Sequence, residues 1–428
     1  MLRLSASGGT NNLDWRTLDV NAEKFNAPIK TYEAYNLVLM ENGNGISFQQ
    51  GATNTYTAGD GVKSTTSGDF EFTIDTANSS VSSTQVTAAG YKFKNHNATY
   101  SEATPHAEAW AGRTNIGNTV KDNTLTVTGG SLTTAAYGGL VINNKLGATT
   151  GDAENNKIVV NGTANVADAY GAQVRTKDGN ATKNSADITN GTVGSVYGAS
   201  LAAANATGTA DKSKVNISGN ANITGNVYGG HIAQTNAAGK ITNSEVNISG
   251  SATITGDVYG GYHAGSGNAT GGTLSISGGN VGGAIYGNHA NAGNATGATI
   301  NITGGTMGDV YGGFANGTGK TTGNTVNLGT ETDAVAAGTT VGTIWGGNKN
   351  VTGNTLNVNS RNAGAADVKN FENVNFDVAH NVSHGDTMLT LTNGGNTSIN
   401  WSKMQLKNLD TITASPTSDH ILTLLDSA

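Results

Sequence analysis

The chain has 428 residues, of which 62 are glycine and 12 % are charged; its net charge is −7 and it contains no cysteine. Because soluble proteins average ~7 % glycine and ~25 % charged residues, this composition argues against ordinary globular packing. No basic run offers a surface to nucleic acid, and no stretch of ~18 apolar residues could cross a membrane as a helix.

The absence of cysteine fits a long polar chain that is exported unfolded through an oxidising compartment, where disulfides would obstruct passage. The opening segment, Met1–Leu4, is followed at once by Ser5, so its apolar run is too short for a signal peptide. If the protein is exported, we expect its signal to lie outside this segment.

In chain order, residues 1–105 come first; they lack a clear repeat and are richer in charge and aromatic side chains, such as Trp15, Phe70 and Phe72. The terminal units of repeat proteins are usually atypical because they must cover the open end of the stack. We therefore predict irregular N-terminal coils and a cap over 1–105.

Residues 106–360 carry a repeat of about 29 residues, with intervals of 25 to 34, which is typical of solenoids. The first phrase of the repeat is an aliphatic residue, an aromatic residue and glycine, as in Val227-Tyr228-Gly229. In the second phrase two apolar residues stand two positions apart, as in Val215 and Ile217, and a shorter phrase at 221–225 lies between the two. The aromatic positions of the first phrase are Trp110, Tyr137, Tyr170, Tyr197, Tyr228, Tyr259, Tyr286, Tyr311 and Trp345.

Apolar residues that alternate with polar ones predict strands with one buried face, and no helical period occurs in the repeat. Each strand is too short to bury its face alone, but stacking the next turn at ~4.8 Å would bury it. The sequence therefore predicts an all-β fold, a right-handed parallel β-helix with about three short strands per turn. We expect glycine at its corners, where positive φ angles are needed.

The variable part of the repeat follows the aromatic phrase, as at 264–270 and 290–296, where small polar residues predict loops that project from one corner. From 361 to 428 the repeat disappears, and longer apolar segments predict C-terminal coils. These segments are Phe371–Val378, Met388–Leu391 and Ile421–Leu425.

Over roughly 106–428 the sequence resembles the passenger domains of classical (type V) autotransporters of anaerobic Gram-negative-type bacteria. The resemblance lies in the Val-Tyr-Gly-Gly phrase, the variable loop, and runs such as Asn324–Leu328 and Asn354–Val358. The segments Phe371–Phe376 and Gly385–Leu391 resemble the stretch that precedes the membrane barrel in such proteins.

The resemblance implies a bacterial adhesin displayed outside the cell, anchored to the outer membrane only through a barrel that this chain lacks. Its expected partners are glycans or proteins on host or bacterial surfaces, or a copy of itself on a neighbouring cell, which would cause autoaggregation and biofilm. Two alternatives stay open: a β-helical polysaccharide-active enzyme, and a surface stalk without binding of its own.

The candidate ligand-binding residues are the aromatic column formed by Tyr197, Tyr228, Tyr259, Tyr286, Tyr311 and Trp345, with His231 and His289 three residues after two of them. If Val227 points inward, alternation turns Tyr228 outward, and successive turns would stack the rings into a ladder that offers apolar area to a partner. The alternative, commoner in proteins, is that half-buried rings only brace the stack.

Catalytic and metal chemistry find little support in the sequence. His231 and His289 share their register with Tyr262 and Phe314 and have no acidic or thiol partner, so we predict no metal site. Asp257 and Asp309 would lie two turns apart, too far to act as a pair on one bond. No nucleotide, zinc-protease or serine-hydrolase motif occurs, so we predict no catalytic residue and no cofactor.

Overall fold

The computed structural model describes side chains at 97–115, 119–142, 149–349, 351–378, 382–393, 402–409 and 421–427, and elsewhere the backbone of short segments only. The described chain is nearly all β-structure, with 1 % helix, and its parallel strands stack into a solenoid of about ten turns. The predicted all-β parallel β-helix is therefore confirmed.

Three ladders of parallel strands wrap each regular turn, and we name them faces A, B and C in chain order. The strands of face A are Asn97–Tyr100, Thr124–Val127, Lys157–Val160, Ser185–Ile188, Lys214–Ile217, Glu245–Ile248, Thr325–Leu328, Thr355–Val358, Asn373–Asp377 and Met404–Lys407. Thr273–Val281 and Thr299–Met307 run from face A into face B, where Asn222–Ile223, Thr253–Ile254 and Thr340–Val341 also lie.

Face C carries the aromatic phrase. Its strands are His106–Thr114, Val227–Ile232, Val258–His263, Ile285–Ala290, Val310–Ala315, Thr343–Gly347 and Asp367–Lys369. Three longer strands run from face B into face C: Ser131–Val141, Asn165–Val174 and Thr192–Leu201. Because the register repeats from turn to turn, equivalent residues form straight columns along the solenoid.

The columns inside the coil form the core. On face A, Val215 pairs with Val246, and Val246 pairs with Leu274, and all three side chains are fully buried. At ~1.5–3 kcal/mol for each buried aliphatic side chain, such columns make the largest favourable contribution to folding. The alternation predicted from the second phrase of the repeat therefore holds in three dimensions.

A fourth short ladder, face D, lies between face C and the next face A in the turns from Val120 to Thr296, in addition to the predicted three strands. Its strands are Val120–Lys121, Ala153–Glu154, Ala181–Thr182, Thr209–Asp211, Lys240–Thr242, Ala269–Thr270 and Ala295–Thr296. The segments 264–270 and 290–296, predicted as projecting loops, stack in this region instead, because Ala264 donates its N–H to Ile232 at 3.0 Å and Ala269 is buried in a second small core.

The two corners that flank face A need left-handed backbone. After face A, glycine takes this conformation, as at Gly219 and Gly250, which confirms the predicted corner glycines. Before face A, the equivalent position of successive turns keeps a positive φ although its residue type changes. The residues at this position are Asp122, Asn155, Lys183, Lys212, Asn243, Gly271, Gly297, Gly323 and Gly353.

Replacing Lys212 by glycine is expected to stabilise the protein by about 0.5–1 kcal/mol. A left-handed backbone costs a non-glycine residue ~1–2 kcal/mol, and glycine removes this strain from the folded state. The greater freedom of glycine in the unfolded chain offsets part of the stabilisation. Urea titration would measure the change. The control, Lys214→Gly, lies in a regular strand of face A and should lower stability; a lower midpoint for Lys212→Gly as well would contradict the argument.

The ends of the chain depart from the regular turns. Before the solenoid the structure describes the strands Leu2–Leu4, Asn11–Leu13, Val38–Asn42, Ile46–Phe48, Val62–Ser67, Phe70–Asp75, Ser80–Val81, Gln85–Thr87 and Gly90–Asn95. The last of these pairs antiparallel with His106–Thr114 at the first turn. Most of the cap predicted for 1–105, including Trp15, lies outside the residues whose side chains are described.

Beyond residue 360, strands Ala363–Ala365, Thr387–Leu391 and Thr423–Ser427 form a separate parallel ladder. A 3-10 turn, Trp401–Lys403, precedes the last strand of face A. Each of the three apolar segments predicted in this region therefore overlaps a strand.

Candidate binding surface on face C

Face C turns its tyrosines away from the core. Val227 is fully buried in the central cluster, and the alternation of the strand places Tyr228 on the outer side. In register, Tyr228 pairs with Tyr259 of the next turn, which pairs with Tyr286. We call the column of Tyr137, Tyr170, Tyr197, Tyr228, Tyr259, Tyr286, Tyr311 and Trp345 the inner aromatic column.

The rings of the inner aromatic column stack face to face. Successive centroids lie between 4.3 Å, for Tyr170 and Tyr197, and 5.8 Å, for Tyr311 and Trp345. The interplanar angles are small, for example 5° between Tyr228 and Tyr259. Both faces of a ring within the column are thus covered by its neighbours, and what remains for solvent is the ring edge.

The exposure of the rings follows from this stacking. Tyr228 and Tyr259 are 9 % and 8 % exposed, whereas Tyr286, Tyr311 and Trp345 are half-buried. The predicted ladder does exist on the outside of the coil, and it also braces the stack. Because the ring faces are occupied, a partner could reach the edges and hydroxyl groups but could not stack on a ring inside the column.

The hydroxyl groups have defined partners. Tyr259 donates to the Asp257 carboxylate at 2.9 Å, and the Tyr228 oxygen accepts from the Asn226 amide at 2.9 Å. Burial raises the pKa of Tyr197 and of Tyr286 to about 12. The column is therefore uncharged at neutral pH and offers hydroxyl groups rather than phenolates.

A second column stands beside the first, three residues further along each strand. We call His231, Tyr262, His289 and Phe314 the outer aromatic column. Tyr262 stacks on His289 at 4.9 Å, and His289 stacks on Phe314 at 5.1 Å. The same residues meet the inner column edge-on, as Tyr259 and Tyr262 do at 73°. Together the two columns form one continuous surface, the aromatic wall.

The histidines of the wall are neutral ring partners. Burial lowers the pKa of His289 to about 4, and burial also lowers the pKa of His231 well below its usual range. In the ranges with described side chains, no three histidine, aspartate or glutamate residues are grouped as a metal site would require. Both predicted site histidines thus lie in the wall, where they stack on aromatic rings.

Cations cover both ends of the face C aromatic series. The Arg113 guanidinium lies 5.3 Å from the centroid of Trp110, and the Lys369 ammonium lies 5.0 Å from that of Trp345. A cation over an indole contributes ~0.5–1 kcal/mol at exposed sites. Beside Trp345, Lys369 takes the register position that the next aromatic residue would occupy.

The carboxylates beside the wall are structural. Asp257 accepts the backbone N–H of Ala284 in the next turn at 2.8 Å, and Asp309 accepts that of Thr343 at 2.8 Å. Asp168 does the same for Ser195 at 3.1 Å. Each carboxylate thus accepts a backbone N–H at the corner before the face C strand of the next turn. This hydrogen bond explains why an acidic residue stands at that corner.

Buried asparagines hold the opposite corner, and the sequence did not predict that they lie inside the coil. Asn123 donates to Asn156 at 2.7 Å, and Asn156 donates to Asn184 at 3.0 Å, all three being fully buried. The same arrangement returns where Asn324 donates to Asn354. In each of these turns an asparagine stands one residue before the face A strand, and this repeated position is the sequence feature that could have revealed the buried column.

Comparison of the chain with models of protein families, with curated proteins and with solved structures gave no match. In the ranges that the structure describes, no helix is long and apolar enough to cross a bilayer.

Proposed function

We propose that this chain is the rod of a bacterial surface adhesin, and that the aromatic wall of face C is its attachment surface. The proposal takes surface display and adhesion from the likeness to autotransporter passengers in the Val-Tyr-Gly-Gly repeat. The observation that carries the choice of surface is the pair of contiguous aromatic columns, which lie side by side over the four turns from His231 to Phe314.

The physical support for this surface is its rigidity. Binding usually costs ~0.5–1.5 kcal/mol for each side chain that must be immobilised. In the wall, each ring is already held by stacked neighbours, as Tyr262 is by His231 and His289. Tyrosine and tryptophan are also the residues most enriched at the centres of protein interfaces. A pre-ordered aromatic surface therefore suits a protein or glycan on another cell.

A double substitution on the outer aromatic column tests the proposal. The register of Tyr262 and Phe314 is occupied by Ser200 in an earlier turn, so serine is compatible with the strand. Tyr262→Ser with Phe314→Ser should reduce the retention of immobilised protein on cells or glycan arrays about fivefold or more, the effect of removing anchors worth ~1 kcal/mol or more. Retention would be measured by flow over surfaces coated with the purified chain.

The matched control is Asn247→Ser with Asn301→Ser on face A, where Ser275 occupies the same column. Thermal melting of both variants would establish that they fold. If the wild-type chain retains no cell, glycan or copy of itself, adhesion is wrong, and a glycan-cleavage assay of the purified chain then separates the enzyme from the stalk. If the face A variant loses as much retention as the wall variant, the aromatic wall is not the attachment surface.

A further inference from the structure

A polar groove crosses the C-terminal turns of face A, on a different face from the aromatic wall. The groove is open to solvent and its volume is about 610 Å³, within the ~300–1,000 Å³ typical of small-molecule sites. Its floor is formed by outward side chains of successive turns, including Thr325, Asn327 and Asn357, and Asp377 and Lys407 lie at its end. The groove is thus built from at least four turns of the solenoid.

One wall of the groove is an inserted loop. In this turn eleven residues, 329–339, separate the face A strand that ends at Leu328 from the face B strand that begins at Thr340. In an earlier turn only four residues separate the corresponding strand ends, Ile217 and Asn222. Two hydrogen bonds fix the loop: Ala336 donates its N–H to Thr303 O at 2.8 Å, and Val335 donates its N–H to the Ser360 hydroxyl at 3.1 Å. Val335 also packs on the core, so the wall is anchored at its base.

The floor offers regularly spaced hydrogen-bonding groups. An asparagine amide has two N–H donors and two oxygen lone pairs. Asn357 donates one N–H to Asn327 at 2.7 Å and accepts one from Asn375 at 2.8 Å, and Asn327 donates to Asn301 at 2.6 Å. Asn357 and Asn327 therefore each keep one donor and one lone pair for a ligand, repeated at the ~4.8 Å spacing of the turns.

The chemistry of the groove selects for hydroxyl groups. A sugar hydroxyl both donates and accepts, which matches a free amide N–H beside a free amide lone pair. The hydroxyl of Thr325 and the side chains of Thr330 and Thr332 add further polar groups. The charged groups that line the groove are Glu331, Asp377 and Lys407, a net negative set that disfavours an acidic sugar.

We propose that this groove is a binding site for a neutral saccharide of one or two rings, held through the amides of Asn327 and Asn357 and the hydroxyl of Thr325. The site does not depend on the aromatic wall, and it adds a small-molecule specificity to the proposed adhesive rod. Its recognition rests on hydrogen bonds, because none of its lining side chains is aromatic.

Saturation-transfer NMR of the purified chain with mannose, galactose, N-acetylglucosamine, lactose and glucuronic acid would test the site. We expect at least one neutral sugar to bind more tightly than glucuronic acid. Thr325→Val keeps the β-branched shape and removes the hydroxyl, and it should weaken that sugar about fivefold, the value of one hydrogen bond. Asn357→Ala, which removes two floor groups, should weaken it about tenfold or more.

The controls repeat each change on the same columns outside the groove. Thr273, in the same column as Thr325, is replaced by valine in the first control. The second control is Asn216→Ala, which removes one donated and one accepted hydrogen bond between turns, as Asn357→Ala does. Both controls should leave the dissociation constant unchanged. The proposal is overturned if no neutral sugar binds, if glucuronic acid binds more tightly, or if controls and groove variants weaken binding equally. Loss of sugar binding only in Tyr262→Ser with Phe314→Ser would place the sugar on the aromatic wall instead.

Discussion

Replacing Gly287 by alanine is expected to destabilise the solenoid by about 3 kcal/mol, although the change adds only one methyl group. A Cβ atom at Gly287 would lie 2.3 Å from the carbonyl oxygen of Gly312 in the next turn and 2.6 Å from the Ala298 side chain. The clash is with backbone, so no side chain can move away, and the two turns must separate. Overpacking of a core typically costs ~1–3 kcal/mol, and this site lies at the upper end.

The same geometry explains why glycine follows the aromatic residue in the repeat. A Cβ at Gly260 would lie 2.2 Å from Gly287 O, and one at Gly229 would lie 2.5 Å from Gly260 O. Urea unfolding followed by circular dichroism measures the effect. The control is Gly129→Ala, where the nearest atom to the new Cβ is the Thr163 hydroxyl at 3.7 Å. A Gly287→Ala protein as stable as Gly129→Ala would show that the turns are not in this close contact.

Acidification from pH 7 to pH 5 is expected to lower the stability of the protein, and His289→Phe should remove about 2 kcal/mol of that loss. Burial lowers the pKa of His289 to about 4 in the folded chain, against an ordinary value of 6.5. Below pH 6.5 the unfolded chain therefore binds a proton that the folded chain does not, which favours unfolding until the pH reaches about 4. Above pH 6.5 both states are neutral, and this contribution vanishes.

Phenylalanine is compatible with the site because Phe314 occupies the same register in the next turn and stacks on His289. The measurement is the free energy of unfolding in urea at pH 7, 6 and 5 for both proteins. His263 should retain part of the pH dependence in the variant, since it is fully buried, its Nδ1 accepts from Gly265 at 3.0 Å, and burial lowers its pKa too. Parallel pH profiles for wild type and His289→Phe would contradict the assignment.

The aromatic phrase shows how far the sequence leads. Its spacing predicts both the turn and the outward column, because alternation on a strand fixes the side of Tyr228 once Val227 is placed inside. What alternation does not specify is the ring rotamer. Whether Tyr228 presents a face or an edge depends on its contacts with Tyr197 and Tyr259, which belong to other turns. The candidate residues were therefore predictable, but their accessible chemistry was not.

Polar residues were the main limit of the sequence reasoning. A polar side chain in a strand pattern is normally assigned to solvent, yet Asn156 and Asn324 lie fully inside the coil. They can do so because an identical amide one turn away satisfies each of them, a condition set by register rather than by local sequence. Face D was missed for a related reason: its two- and three-residue strands are too short to show a period.

The stacked wall also gives the protein an optical property. Tyrosine absorbs at shorter wavelength than tryptophan, and its excitation energy passes readily to a ring in near contact. Trp345 stacks at one end of the series of tyrosines, which lie about 5 Å apart, and Trp110 is in register with Tyr137 at the other end. Excitation energy absorbed along the inner aromatic column therefore passes from ring to ring towards either indole. Tryptophan emission excited through tyrosine therefore depends on whether consecutive turns of face C stay stacked.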